Sequence, residues 1–77
     1  PDWAINIGRF ASRFAAEKML LRTALSEMAT LQGTQRKIII QRSGYDANFV
    51  GLTREGADLA CRKLQARSIN CLMIGPG

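Results

Sequence analysis

The fold is decided by two stretches of the chain, Trp3-Ala4-Ile5-Asn6-Ile7-Gly8-Arg9-Phe10 and Tyr45-Asp46-Ala47-Asn48-Phe49-Val50-Gly51-Leu52. Each is an aromatic-led run of strand-forming residues that stops near a glycine. A hydroxyl residue that can cap an amphipathic helix follows each run, Ser12 after the first and Thr53 after the second. The chain is thus a weak internal repeat of a strand-then-helix unit. Two such units, each closed by another strand, predict one four-stranded sheet that is covered on one face only.

The first unit begins with a strand from about Trp3 to Arg9, in which Asn6 lies on the face opposite the large apolar residues. A helix capped by Ser12 follows, and Gly33 ends it as a left-handed stop. The apolar residues at a spacing of 3.6 predict a core stripe on this helix: Leu20, Leu21, Ala24, Leu25, Met28 and Leu31. The opposite side of the helix is polar: Lys18, Arg22, Ser26 and Thr30.

The second and third strands are predicted to form a hairpin. Residues 36–42 carry the β-branched run Ile38-Ile39-Ile40, and Ser43-Gly44 is a compact turn signal. In the third strand Tyr45, Ala47 and Phe49 alternate with Asp46 and Asn48. We expect the polar pair on the open face of the sheet, because burying an unpaired polar side chain is costly.

The second helix, capped by Thr53, has a single apolar stripe at i, i+3, i+4 and i+7: Ala57, Ala60, Cys61 and Leu64. Residues Asn70 to Ile74 predict a fourth short strand, ended by Gly75-Pro76-Gly77. The order of elements is therefore βαββαβ. The predicted class is α+β, a ferredoxin-like four-stranded antiparallel sheet with two helices on one face and strands one and three in the centre.

Length and charge limit the possible functions. With 77 residues there is room for one domain with a thin core, and 47% apolar with 22% charged residues is the composition of a folded globule. The formal net charge of +5 suits an anionic partner such as nucleic acid, a membrane surface or an acidic cell-wall polymer, or is simply a solvated basic surface. The chain begins with Pro1 and contains no signal peptide, so we expect residues 1–77 to be one module of a longer protein.

The residues that catalysis needs are missing. The chain has no histidine, no glycine-rich phosphate loop and no serine followed by lysine three residues on, and its six carboxylates are scattered. We therefore predict a binding module rather than an enzyme, with no cofactor. Cys61 and Cys71 alone cannot supply the four ligands of a structural zinc site, so they are either a disulfide or two buried thiols.

The residues at the outward positions of the two central strands distinguish between two possible binding functions. An RNA-recognition module would carry aromatic side chains there for base stacking. This chain has Ala4, Asn6, Asp46 and Asn48 instead, and Asp46 would repel phosphate. Amide and carboxylate groups suit the hydroxyl and acetamido groups of a neutral sugar chain. The sequence thus favours a glycan over nucleic acid.

The segment from Trp3 to Arg13, followed by Ala16-Glu17, resembles the opening of a SPOR domain, the sporulation-related repeat. That family shows an aromatic residue, an alternating strand, Gly-x-Phe, a serine cap and an Ala-Glu pair on the first helix. Residues 45–52 and 57–64, with the strand at Cys71, resemble its second half, so the likeness spans the chain. The placement of Ala60-Cys61 and Cys71 is most similar to SPOR modules at the C-terminus of D-alanyl-D-alanine carboxypeptidases and other bacterial envelope proteins.

The resemblance implies a periplasmic module that binds peptidoglycan, specifically glycan strands lacking stem peptides, and concentrates its parent protein at the division septum. We expect the module to be a monomer that makes no membrane contact itself. The glycan-binding residues that it implies on the open face are Asn6, Arg9, Phe10, Asp46 and Asn48. Gln41 is added to these candidates only because its side chain is expected to point outward from strand two.

Two departures from the family concern this site. Family members often have glutamine at the position of Asn6, and arginine on strand three where this chain has Asp46 and Asn48. The alternatives are a degenerate SPOR fold that serves as a protein-docking face and, third, a nucleic-acid module. The envelope location that the resemblance implies favours a disulfide between Cys61 and Cys71.

Overall fold

The computed structural model describes residues 1–77 and contains one mixed α+β unit. Its elements are β1 (Trp3–Phe10), α1 (Arg13–Ser26), α2 (Met28–Leu31), β2 (Gln35–Gln41), β3 (Gly44–Leu52), α3 (Arg54–Ala66) and β4 (Leu72–Ile74). The strands form an antiparallel sheet in the order β2-β3-β1-β4. This order, with β1 and β3 in the centre, confirms the predicted ferredoxin-like arrangement. None of the three helices has the length and apolar composition that a membrane-spanning helix needs.

The central strand pair carries a β-bulge. Asn6 pairs with Asn48 while Arg9 pairs with Asp46, so β1 has one residue more than β3 over this interval. Gly8 lies inside the bulge with φ +137, a conformation that favours glycine. The bulge brings Arg9 back to the face that Asn6 occupies.

The core lies between the sheet and the two longer helices. The sheet contributes the buried side chains of Ile5, Ile7, Ala47, Phe49 and Leu52. From α3 come Ala57, Ala60, Cys61 and Leu64, which confirms the predicted stripe of this helix. The alternation predicted for β3 is also confirmed, because Ala47 and Phe49 lie in the core.

The core stripe predicted for the first helix is wrong in part. Leu20 and Leu31 are buried, but Leu21, Leu25 and Met28 are exposed. The residues of α1 that face the sheet are Ala16, Leu20 and Thr23. Two of these are small, so this side of the helix can approach the sheet closely, and the exposed leucines lie on the other side.

The first helical segment is also interrupted, so the structure has three helices where two were predicted. Glu27 has non-helical dihedral angles, φ −136 and ψ 54, and separates α1 from the short α2. Its carboxylate accepts a hydrogen bond from the Nε of Arg67, at the end of α3. This contact joins the interruption between α1 and α2 to the end of α3.

The predicted ends of the helices are confirmed. The Ser12 Oγ accepts a hydrogen bond from the Ala15 N–H at 3.1 Å, and the Thr53 Oγ1 accepts one from Gly56 at 2.9 Å. Gly33 has φ +82, as its role as a left-handed stop requires.

The predicted hairpin is present, with Arg42 and Ser43 as its turn and Gly44 as the first residue of β3. Gly44 has φ +149, and a Cβ atom at this position would lie 2.7 Å from the Phe10 carbonyl oxygen. The hairpin therefore requires glycine here for both its conformation and its contact with β1.

Cys61 and Cys71 form a disulfide with an S–S distance of 2.03 Å, as favoured above. The bond joins α3 to the segment before β4. The fourth strand is shorter than the predicted Asn70 to Ile74 and spans Leu72–Ile74, since the pairing with β1 does not include Cys71. The Cys71 carbonyl oxygen accepts a hydrogen bond from the Gln65 Nε2 at 3.0 Å.

Candidate binding face

The face of the sheet that α1 and α3 leave uncovered is called the open face here. The register of the strands places twelve side chains on it: Ala4, Asn6, Arg9, Gln35, Lys37, Ile39, Gln41, Asp46, Asn48, Val50, Leu72 and Ile74. The polar residues of β1 and β3 form its centre, and apolar residues of β2 and β4 flank them. The structure thus brings together five of the six predicted site residues.

Asn6 and Asn48 form a cross-strand amide pair at the centre of the open face. The Asn6 Nδ2 donates to the Asn48 Oδ1 at 2.7 Å, and the Asn6 Oδ1 accepts from the Gly8 N–H at 3.0 Å. Asn6 therefore fixes the bulge and has little hydrogen-bonding capacity left for a ligand. Asn48 is only 8% exposed, yet its Nδ2 has no acceptor within the chain. That N–H group is the free donor of the pair.

Arg9 and Asp46 form a bidentate ion pair beside the two amides. The Arg9 Nε donates to the Asp46 Oδ1 at 2.7 Å, and its Nη2 donates to the Oδ2 at 3.0 Å. The Arg9 Nη1 donates to the Ser43 Oγ at 2.7 Å. The hydrogen bond from Arg9 lowers the pKa of the Asp46 carboxyl below its ordinary value, and burial opposes this effect. Asp46 is ionised and neutralised, so it does not present a bare negative charge.

Gln41 and Phe10 lie in different places. Gln41 is exposed on the open face, where the proximity of its side-chain amide also lowers the pKa of Asp46. Phe10 pairs with Tyr45, so its ring lies on the helix-covered side, partly buried against the core. It is the one predicted site residue that the open face does not contain.

Two shallow cavities meet at Asn6. One, of about 450 Å³, lies over the open face, and its lining comprises Asn6, Arg9, Asp46, Asn48, Leu72, Met73 and Ile74. The other, of about 500 Å³, lies between the bulge and the segment from α3 to β4, and its lining comprises Asn6, Gly8, Gln65, Ser68, Ile69, Asn70, Cys71 and Leu72. Their linings share Asn6 and Leu72, and the two cavities together are called the groove through Asn6 here.

The second cavity is bordered by a strained helix end. Ser68 has φ +62, the only positive φ of a residue other than glycine. Its N–H donates to the Gln65 carbonyl at 3.0 Å, and the Ile69 N–H donates to the Leu64 carbonyl at 2.9 Å, which is a Schellman motif with serine where glycine is usual. The disulfide at Cys71 holds the end of this segment.

Sequence reasoning missed the apolar border of the site. Leu72, 69% exposed, pairs with Asn6, and Ile74 pairs with Ala4, so both lie on the open face. They could have been predicted by pairing strand four with strand one in the expected sheet, because paired residues point to the same side. The loop residues Ser68 and Asn70 carried no such signal, since their position depends on how α3 ends.

A comparison with solved structures gives one match, the solution structure of the peptidoglycan binding domain of the B. subtilis cell wall lytic enzyme CwlC. The TM-score is 0.70 at 12% sequence identity, and the match covers 94% of this chain and 85% of that one. At this identity the likeness shows a shared fold. No protein-family model and no curated protein matches the chain.

Proposed function

We propose that this chain is a non-catalytic module that binds peptidoglycan on its open face. The observation that carries the proposal is the fold shared, over 94% of the chain, with a domain that binds peptidoglycan. The groove through Asn6 is the ligand site, and the bound part of peptidoglycan is the glycan strand without its stem peptides. By holding such strands the module concentrates its parent protein at the division septum.

The chemistry of the open face supports a neutral ligand. Arg9 and Asp46 neutralise each other, which leaves Lys37 on the edge strand as the other charged group of the face. The free N–H group of Asn48 and the amide of Gln41 offer directional hydrogen bonds to hydroxyl and acetamido groups. Leu72 and Ile74 offer apolar surface to the carbon faces of sugar rings. A phosphate chain would find no unpaired arginine here.

The predicted residues take different roles in this proposal. Arg9, Asp46, Asn48 and Gln41 contact the glycan, and Asn6 holds the bulge that presents them. Phe10 supports the bulge from the other face, where its ring lies 3.3 Å from the place of a Gly8 Cβ atom.

The disulfide supports an envelope location. A bond between Cys61 and Cys71 persists in an oxidising compartment and is rare in the cytosol. Peptidoglycan also lies outside the cytoplasm. We place the module in the periplasm or at the cell wall, as a monomer that reaches the wall through its open face.

Co-sedimentation with purified sacculi tests the proposal. We expect the module to bind sacculi, and to bind better after an amidase has removed the stem peptides. The double variant Asn48→Ala, Leu72→Ala removes one free donor and one apolar contact, and should weaken binding by about 1–3 kcal/mol. Leu59→Ala, an exposed leucine of α3 away from the open face, is the matched control.

Unchanged binding by the double variant would show that the open face is not the site. A failure of the wild-type module to bind any sacculus preparation would favour the alternative of a protein-docking fold. The nucleic-acid alternative is tested by fluorescence anisotropy, where we expect no tight binding of single-stranded RNA at physiological salt.

A further inference from the structure

A second exposed surface lies on the other side of the sheet, away from the peptidoglycan site proposed above. Helix α1 is apolar on two sides, one of which packs on the sheet through Ala16 and Leu20. On its other side and at the start of α2 are four large side chains more than half exposed: Phe14 (76%), Leu21 (51%), Leu25 (63%) and Met28 (65%). These side chains do not pack in the core, so they expose apolar surface to water without stabilising the fold.

These residues form a heptad pattern with Lys18. The seam, defined as Phe14, Lys18, Leu21 and Leu25, has successive spacings of four, three and four residues on α1, and Met28 follows beyond the break at Glu27. This is the spacing of the a and d positions that contact a second helix in a coiled coil. Lys18 would be the single charged residue of the seam, with its methylene stem available for packing.

The sheet leaves space for a helix beside the seam. Helix α1 lies mainly over β3 and β1, so the edge strand β2 extends beyond it. Ile40, on the helix-covered side of β2, is 64% exposed. A groove of about 710 Å³ lies between α1 and β2, and its lining comprises Arg13, Phe14, Glu17, Lys18, Leu20, Leu21, Arg36 and Ile38. A helix in this groove would complete the helical layer.

The charge of the groove selects the partner. Three cations and one carboxylate line it, and Arg22 adds a further cation on the exposed surface of α1. A second copy of this chain would bring the two sets of cations together, which opposes self-association. A flat bilayer could reach Phe14, which is exposed, but not Ile38, which is partly buried inside the groove.

We propose that the groove between α1 and β2 is the docking site for an amphipathic helix of another protein, apolar at heptad a and d positions and acidic at the flanking ones. Its apolar residues pack against Phe14, Leu21 and Ile38, and its carboxylates pair with Arg13, Lys18 and Arg36. The site does not depend on the proposed peptidoglycan binding, because it lies on the opposite side of the sheet.

The probe is a synthetic peptide of roughly three heptads with leucine at a and d and glutamate at e and g. Its negative charges keep it monomeric and largely unfolded alone, so docking is measured both by fluorescence anisotropy and by a gain of helicity in circular dichroism. The control peptide has lysine in place of each glutamate. We expect the acidic peptide to bind, and the basic one to bind at least about tenfold more weakly.

Two variants locate the site. The seam variant, Phe14→Ser with Leu21→Ser, removes the two exposed apolar residues of α1 that line the groove and should weaken binding of the acidic peptide at least about tenfold. Leu59→Ser, on α3, should leave it unchanged. Thermal unfolding of each variant shows that the fold is kept, as the exposure of these residues leads us to expect.

Three results would overturn the proposal. The acidic peptide does not bind, the acidic and basic peptides bind equally well, or the seam variant binds the acidic peptide as tightly as the wild type does. Sedimentation velocity adds another outcome, since a dimer that the seam variant abolishes would assign the groove to a second copy. Binding of phosphatidylglycerol vesicles through Phe14 and Leu21 would assign it to a membrane. Either result would contradict docking of an acidic helix.

Discussion

Thr23 lies on the side of α1 that packs against the sheet, and its hydroxyl is buried without a hydrogen-bond partner. A buried polar group without a partner lowers stability, and a methyl group of similar size removes that penalty. We expect Thr23→Val to raise the free energy of unfolding by about 1 kcal/mol. Thr30→Val is the matched control, because the Thr30 hydroxyl donates to Glu27 and should give no gain. Urea denaturation measures both, and a loss for Thr23→Val would contradict this description of the core.

The pairing of Arg9 with Asp46 predicts a dependence of stability on acid. The hydrogen bond from Arg9 lowers the pKa of Asp46 in the folded state, so the pair contributes fully above the ordinary aspartate value of about 3.9. That contribution is lost as the pH falls through the lowered folded-state pKa. Arg9→Ala removes the pair and leaves the similar contact of Glu27 with Arg67 in place.

We therefore expect the free energy of unfolding of the wild type to fall more than that of Arg9→Ala on acidification. Urea denaturation from neutral pH to about pH 3 measures the difference. Parallel curves for the two proteins would show that the pair does not contribute to stability.

At the scale of elements, the hairpin between β2 and β3 gives a test of its geometry. Gly44→Ala adds a methyl group 2.7 Å from the Phe10 carbonyl oxygen, while Gly33→Ala adds one with no atom within 4 Å. Both glycines have positive φ, so Gly33→Ala should cost only about 1–2 kcal/mol of conformational strain. Gly44→Ala should cost about 1–3 kcal/mol more, because the backbone of β1 must shift. Equal losses of stability in thermal unfolding would show that the contact yields without cost.

The elements also show where sequence reasoning succeeds. The strands were predictable because residues such as Asp46 and Phe49 alternate with a period of two, and only one register buries the apolar set. The caps were predictable because Ser12 and Thr53 bond to their own helices. The sheet-facing side of α1 was not predictable, because a helix with leucines on two sides can pack either side against the sheet. Small residues at Ala16 and Thr23 decided the packing, and hydrophobicity alone gives them little weight.

The candidate site was predictable to the extent that it depends on alternation. Asn6, Asp46 and Asn48 share the open face as alternation predicts, whereas Arg9 reaches that side only through the bulge at Gly8, which alternation does not predict. The internal bond between the two amides was not predictable, because it depends on the strand register. The border of the second cavity at Ser68 depends on a serine with a positive φ, which the sequence does not predict.

At the scale of the whole molecule, the disulfide closes a short loop between α3 and β4. The double variant Cys61→Ser, Cys71→Ser should lower the free energy of unfolding by about 3 kcal/mol, since the bond restricts the unfolded chain. A reducing agent should destabilise the wild type by a similar amount and leave the variant unchanged. Unfolding midpoints that do not respond to the reductant in the wild type would contradict this contribution.

The two surfaces divide the molecule by sides. The open face has paired charges and suits a neutral polymer, whereas the groove beside α1 is rimmed by cations and suits an acidic helix. Because the two surfaces lie on opposite sides of the sheet, binding on one side can be measured without blocking the other.

The central claim, that the open face binds glycan strands, is tested most directly by nuclear magnetic resonance. Amide signals of the isotopically labelled module are followed while soluble, stem-peptide-free glycan strands are added. We predict that the shifts concentrate at the groove, at Asn6, Arg9, Asp46, Asn48 and Leu72, and spare the seam residues of α1. Shifts confined to α1 and β2, or no shifts at saturating glycan, would contradict it.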